Sequence, residues 1–213
     1  MYKRQGFAAQ DRDYFFDKAN TRQGLVYGAL EFDLTANTTL TLSAAYQRQR
    51  MAPFDYGLSI YSNGKFVDSP RKGFYGTDWA RGDTTLSEIY TELSHRFANG
   101  WTGQVSMNYR STDLDSRYGY VNGPVNPAND RAGYRLQVQK DQIRWLGMDT
   151  HATGPFELFG RTHQAMIGAN YAERNQDSRS GGANYTNVSI YDIDVPNPDL
   201  PYTSGNKSTS SPV

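Results

Sequence analysis

The chain has 213 residues, with 22 Lys+Arg balanced by 22 Asp+Glu, so no net charge draws it to nucleic acid or to anionic lipid. A mean hydropathy of −0.74, and no apolar run near the roughly 18 residues of a membrane-crossing helix, exclude a helical membrane protein. They leave room for a β-barrel, whose lumen-facing residues dilute hydropathy. No Cys, but 20 Gly and 16 Tyr, describe a strand-rich chain without the disulfides of a small secreted domain.

The start, MYKRQ, is neither apolar nor followed by a cleavage site, so it is not a signal peptide. Residues 1–5 read as a cloning or sequencing scar, and the rest as a piece of a longer protein. Gly6 to Phe16 is an expected strand ending in aromatics. From Gly24 to Arg50 the chain alternates strictly, with Val26, Leu30, Phe32 and Leu34, then Leu40, Leu42, Ala44 and Tyr46, at every second position. That period makes a strand with one apolar and one polar face. The polar tetrapeptide Thr35 to Thr38 folds the two halves into a long hairpin.

A polar connection rich in Tyr, Gly and Pro follows from Ala52 to Asp83, with an Asn63-Gly64 hairpin signal inside it. Strand pattern resumes over Thr84 to Phe97, turns at Ala98-Asn99-Gly100, and returns over Trp101 to Arg117 with Val105, Met107 and Tyr109 on one side. Tyr118 to Tyr134 is expected to be a second long loop. Arg135 to Thr153 and Thr162 to Arg174 are the last two strands, with a turn at 154–161. Residues 175–213 read as a long extracellular loop and the truncated start of another strand.

The expected fold is all-β: an antiparallel up-and-down meander of about seven long strands, a partial transmembrane barrel over 6–174. Short connections alternate with long ones, which puts the loops on one rim and tight turns on the other. Trp101 to Arg117 would span roughly 55 Å, while globular strands usually run about 5–6 residues. Strand length therefore favours a barrel over a soluble β-sandwich, which alternation alone permits. Phe97, Trp101, Phe156 and Phe159 would mark one interfacial girdle, and Tyr46, Tyr109, Tyr118 and Tyr171 the other. The set Val26, Leu30, Phe32, Leu40, Leu42, Val105 and Met107 should share the outer face.

No catalytic residues are assigned. HExxH, GxSxG and phosphate-loop patterns are missing, and Asp149 with His151 reads as a polar lumen pair rather than a catalytic one. Asp11/Asp13, Asp113/Asp115 and Asp192/Asp194 lack the Gly and Glu of a calcium loop, so no metal ligands are assigned. The long loops are richer: Tyr56, Tyr61, Trp79, Arg81, Tyr118, Tyr120, Arg131 and Tyr134 combine aromatic faces with cationic heads. Such groups suit a flat, polar or anionic small ligand, and the alternative is that they pack on one another to fix the loops.

Four stretches carry a family resemblance: DRDYFFDKANTRQGLVYGALEFDLTANTTLTLSAAYQRQ, DWARGDT, LSHRFANGWT and TGPFELFGRTHQAMIGANY. In order and spacing, from Asp11 to Tyr171, they resemble the TonB-dependent ferric-siderophore receptors of Gram-negative bacteria. The resemblance implies a place in the N-terminal half of a barrel of about 22 strands, with the plug domain and TonB-contacting box lying elsewhere. It implies an outer-membrane location and outward loops that help capture a ferric siderophore. The partners implied are that ligand, the TonB system acting through the plug, and outer-membrane lipid, with no nucleic acid. Iron would be cargo, and no cofactor is expected. A strand-rich adhesin or carbohydrate-binding module that moves nothing is the alternative.

Overall fold

The computed structural model describes residues 2–52, 56–197 and 199–211. Eight strands follow one another: β1 (Tyr2–Asp13), β2 (Asn20–Thr35), β3 (Thr38–Ala52), β4 (Arg81–Arg96), β5 (Thr102–Asn126), β6 (Arg131–Leu158), β7 (Arg161–Ser189) and β8 (Ser204–Ser210). Each pairs antiparallel with the next in a single sheet ordered β1 to β8. The meander is the one expected, with one strand more, and the sheet is open. Tyr2 to Gln5 lie within β1, opposite Glu31 to Gly28.

Register shows how alternation becomes a two-faced wall. Leu30, Leu42, Thr91, Met107, Met148 and Tyr171 form one row, and Phe32, Leu40, Leu93, Val105, Thr150 and Ala169 the next. Directly paired residues point to the same side, so the whole expected apolar set shares one face. On β3 the apolar-side residues Leu42, Ala44 and Tyr46 are exposed while Ser43, Ala45 and Gln47 are partly shielded. That contrast marks the outside and the inside of a curved wall. The inner face carries Glu88, Glu92, Arg110 and Asp149, with Arg110 donating to Glu88 across the β4–β5 pair at 2.6 Å. Among the described residues no second layer covers the apolar face below the upper rim, as Ile89 at 55% and Val105 at 57% exposure show. An uncovered apolar wall is stable against lipid, not water.

The lower turns at 36–37 and 159–160 are tighter than expected, while the one after β4 takes 97–101. Phe159 and Gly160 alone reverse β6 into β7, both with positive φ (52° and 70°), as a two-residue hairpin requires. Gly154 and Pro155, which read as turn punctuation, lie inside β6, where Pro155 pairs with Gln164. Gly154 is there because the Trp101 ring occupies the space where a Cβ would stand.

The larger correction lies at the upper rim. Residues 118–134 are not a loop: β5 runs to Asn126 and β6 begins at Arg131, so the pair forms a tall hairpin closed at 127–130. β7 likewise continues past Arg174 to Ser189, and its residues Arg174 to Ser180 pair with β8. Backbone pairing to a neighbour carries these segments as strands although hydropathy does not mark them. The Asn63-Gly64 turn forms, with Gly64 N–H on the Tyr61 carbonyl at 2.9 Å, but Tyr61 makes only an isolated bridge to Val125. Tyr118 leaves the expected girdle, since it faces the opposite side from Tyr109.

The buried core sits at this upper rim. Tyr134, Leu136 and Val195 pack with Trp79 and Ile193, and Val125, Ala132 and Ile190 pack with Leu58 and Val67. Leu58, Val67 and Trp79 of the connection after β3, and Ile190, Ile193 and Val195 of the one after β7, thus cover the outward side of the tall hairpin.

Candidate functional site

Tyr118 and Tyr120 are two apart on β5 and so share a side, opposite Gln137 and Arg135 of β6. That side is the inner one. Tyr56, from the connection after β3, lays its ring on both, at 5.1 Å from Tyr118 and 5.3 Å from Tyr120. The three rings make an aromatic shelf at the top of the inner wall. Burial, and then a hydrogen bond with Tyr56, push the Tyr118 phenol well above its usual range, so it stays neutral.

Beneath the shelf lies a cavity of about 170 Å³ lined by Gln49, Met51, Thr84, Leu114, Ser116 and Gln139. Register aligns these residues: Gln49, Thr84 and Leu114 form one inner row, and Met51, Ser116 and Gln139 the row above. The lining pairs apolar floor with amide and hydroxyl groups, as small-molecule sites do. Nothing in the loop composition pointed to these residues. Their signal was a break in alternation, since Met51 and Leu114 are apolar at positions whose neighbours on that side are polar.

The other candidates go elsewhere. The Tyr61 hydroxyl donates to Asp130 at 2.6 Å and holds the loop to the hairpin tip. Trp79 donates its indole N–H to the Val195 carbonyl at 2.9 Å. Tyr134 is fully buried, with its hydroxyl 3.3 Å from the Tyr75 carbonyl. Arg131 donates to the Asn187 carbonyl. Arg81 opens β4 opposite Arg117 and is exposed. The eight residues therefore separate: Tyr56, Tyr118 and Tyr120 come together, Tyr61, Trp79, Arg131 and Tyr134 tie the loops and hairpin around them, and Arg81 joins neither group. A second, open cavity of about 510 Å³ lies between the β1–β2 turn and the long connection, lined by Phe15, Phe66, Arg71 and Tyr75 among others.

No family model matches the chain. Individual relatives do. The ferric-pyoverdine M114 receptor of Pseudomonas sp. (strain M114) is 30% identical over 211 residues, 96% of this chain and 25% of the relative. The ferripyoverdine receptor of Pseudomonas aeruginosa is 27% identical over 188 residues, 87% of this chain and 23% of the relative. The chain thus spans about a quarter of the length of the curated relatives it matches. Among solved structures, the pyoverdine outer membrane receptor FpvA of P. aeruginosa PAO1, bound to pyoverdine, superposes with a TM-score of 0.88 at 24% identity, over 98% of this chain and 32% of that one. The ferric-catecholate import receptor Fiu of E. coli K12 gives 0.81 at 17% identity, over 98% and 33%. Both superpositions speak to fold, and the sequence relatives cover almost the same residues. Similar along nearly its whole length to ferric-pyoverdine receptors and alike to them in fold, the chain is a stretch of the β-barrel of a TonB-dependent receptor of the outer membrane.

Proposed function

We propose that the chain supplies part of the outward capture face and inner wall of a receptor that takes up ferric siderophores. The aromatic shelf of Tyr56, Tyr118 and Tyr120 is the observation that carries this reading. It stands on the inner face, at the loop-bearing rim, above a cavity with both apolar and hydrogen-bonding walls. A bound chelate would stack on the exposed side of Tyr56 and Tyr120, while Tyr118 supports both rings from behind. Arg135, paired with Tyr120 in register, brings a cation to the same side for an anionic chelate. Iron passes as cargo, and release into the cell would draw on the TonB system through a plug domain. The relatives are named for ferric pyoverdine, which makes that class the first ligand to try. Uptake, not catalysis, is the activity assigned.

The test is ferric-pyoverdine titration of the full-length receptor carrying Tyr56→Ala with Tyr120→Ala. Each stacking aromatic is worth about 0.5–1.5 kcal/mol beyond its area, so affinity should fall about tenfold or more. Wild-type affinity in a double variant with intact loops would overturn the assignment.

A further inference from the structure

The chain is neutral as a whole, yet register gathers three arginines on the outer face, just beyond its apolar border. Phe7, Val26 and Tyr46 form the last apolar row across β1, β2 and β3. The next row upward is Ala9, Gly24 and Arg48, and the one above it Asp11, Arg22 and Arg50. These two rows enclose an open groove of about 700 Å³. Its floor is low because Ala9 and Gly24 are small, and a Cβ built on Gly24 meets nothing within 4 Å.

The flanking guanidiniums are held from the side. Arg22 is bound to Asp11 through Nε at 3.1 Å, and Arg50 to Asp83 through Nε at 2.9 Å. Both carboxylates are engaged there, which leaves the terminal amino nitrogens of each arginine as its remaining donors. Arg48 stands one row below, opposite Gly24, and makes no ion pair among the described residues. Arginine donors arrayed around a small open floor match the oxygens of a phosphate.

We propose that this groove binds the phosphate-bearing headgroup of a membrane lipid, whose acyl chains lie down the wall below. Position selects this ligand. The groove is on the side of the sheet away from the Tyr56 shelf, so cargo in the lumen cannot reach it. It starts one row above Val26 and Tyr46, and a tyrosine at the apolar border marks the level of the headgroups. The proposal rests on the outer-membrane barrel and not on the identity of the siderophore.

The test incubates the delipidated full-length receptor with phosphatidylcholine vesicles containing bisphosphorylated lipid A, or its dephosphorylated form. Lipid retained per barrel after detergent extraction is read by native mass spectrometry. The wild type should retain the phosphorylated form selectively. Arg48→Gln with Arg50→Gln should cut retention about tenfold or more. Gly24→Leu keeps every charge but fills the floor, and should cut it as well. Heat-modifiable gel mobility establishes that each variant is a folded barrel, and Arg48→Gln alone serves where the double variant fails to fold. Equal retention by all variants would overturn the proposal, as would inorganic phosphate displacing the lipid stoichiometrically. A receptor that keeps lipid selectively but fails to bind ferric siderophore would sink the capture reading and leave this one standing.

Discussion

The indole N–H of Trp79 donates to the main-chain carbonyl of Val195 at 2.9 Å, joining two connections separated by more than a hundred residues. Val195 is buried against Tyr134 and Leu136, and Trp79 packs on the same cluster. The pair therefore locks both covering segments onto the tall β5–β6 hairpin. Trp79→Phe keeps the ring and removes the donor, leaving a shielded carbonyl unpaired. The expected cost is about 0.5–1.5 kcal/mol, read as faster proteolysis of 190–203. Ferric-siderophore affinity should stay within about twofold, since the ring packs on the Tyr134 and Leu136 cluster and not on the Tyr56 shelf. A large loss of affinity without a change in proteolysis would make Trp79 a ligand contact.

Gly119 tests the packing beneath that lock. A Cβ there would stand 2.5 Å from Cε1 of Tyr134 and 2.8 Å from Cδ2 of Leu136, and both side chains are fully buried. Gly119→Ala should destabilise the upper hairpin by about 1–3 kcal/mol, as overpacking does, with faster amide exchange around Leu136. Gly147 is the control: a Cβ there meets nothing within 4 Å, so Gly147→Ala should be neutral or slightly stabilising. Equal effects at the two sites would show that the hairpin core yields freely.

Period-2 alternation made the apolar face legible residue by residue, because a one-residue slip would reverse every side chain. The rows through Leu30, Leu42 and Met107, and through Phe32, Leu40 and Val105, are those that alternation implies. The upper rim was not legible in the same way. Gly119, Gly123 and Pro124 look like loop punctuation, yet Gly119 is a packing requirement, and Gly123 with Pro124 is absorbed at a register irregularity between Asn122 and Asn126. Loop aromatics flagged the shelf but could not be sorted by sequence. Stacking on Tyr118 and a hydrogen bond to Val195 demand the same residue types, and only tertiary placement separates Tyr56 from Trp79.

Tyr61 gives an alkaline signature. Its hydrogen bond to Asp130, and then partial burial, raise the phenol well above its ordinary value of 10.0. A group whose folded pKa is raised contributes stability that is fully present below the unfolded pKa and is lost as pH rises through the folded one. The tie should therefore hold at neutral pH and weaken only above pH 10. In a tyrosinate absorbance titration, Asp130→Asn should bring one phenol back toward the ordinary range, and Tyr61→Phe should remove that late-titrating group. A titration unchanged by either substitution would show that Asp130 does not hold Tyr61 in solution.

The two faces of the wall make opposite demands on charge, and that contrast can be tested within the apolar band. Ile89 is paired with Ala44 and Tyr109 on the outer face and is 55% exposed. Thr41 lies on the inner face, between Glu31 and Glu92 in register. An arginine on the lipid side near the bilayer midplane costs about 2–4 kcal/mol, whereas one between two carboxylates inside gains partners. Ile89→Arg should reduce the yield of heat-modifiable barrel in membranes, and Thr41→Arg should assemble as the wild type does. If Thr41→Arg blocked assembly and Ile89→Arg did not, the wall would be facing the other way. Lipid would then lie against Glu88 and Glu92, and the Tyr56 shelf would be outside the lumen.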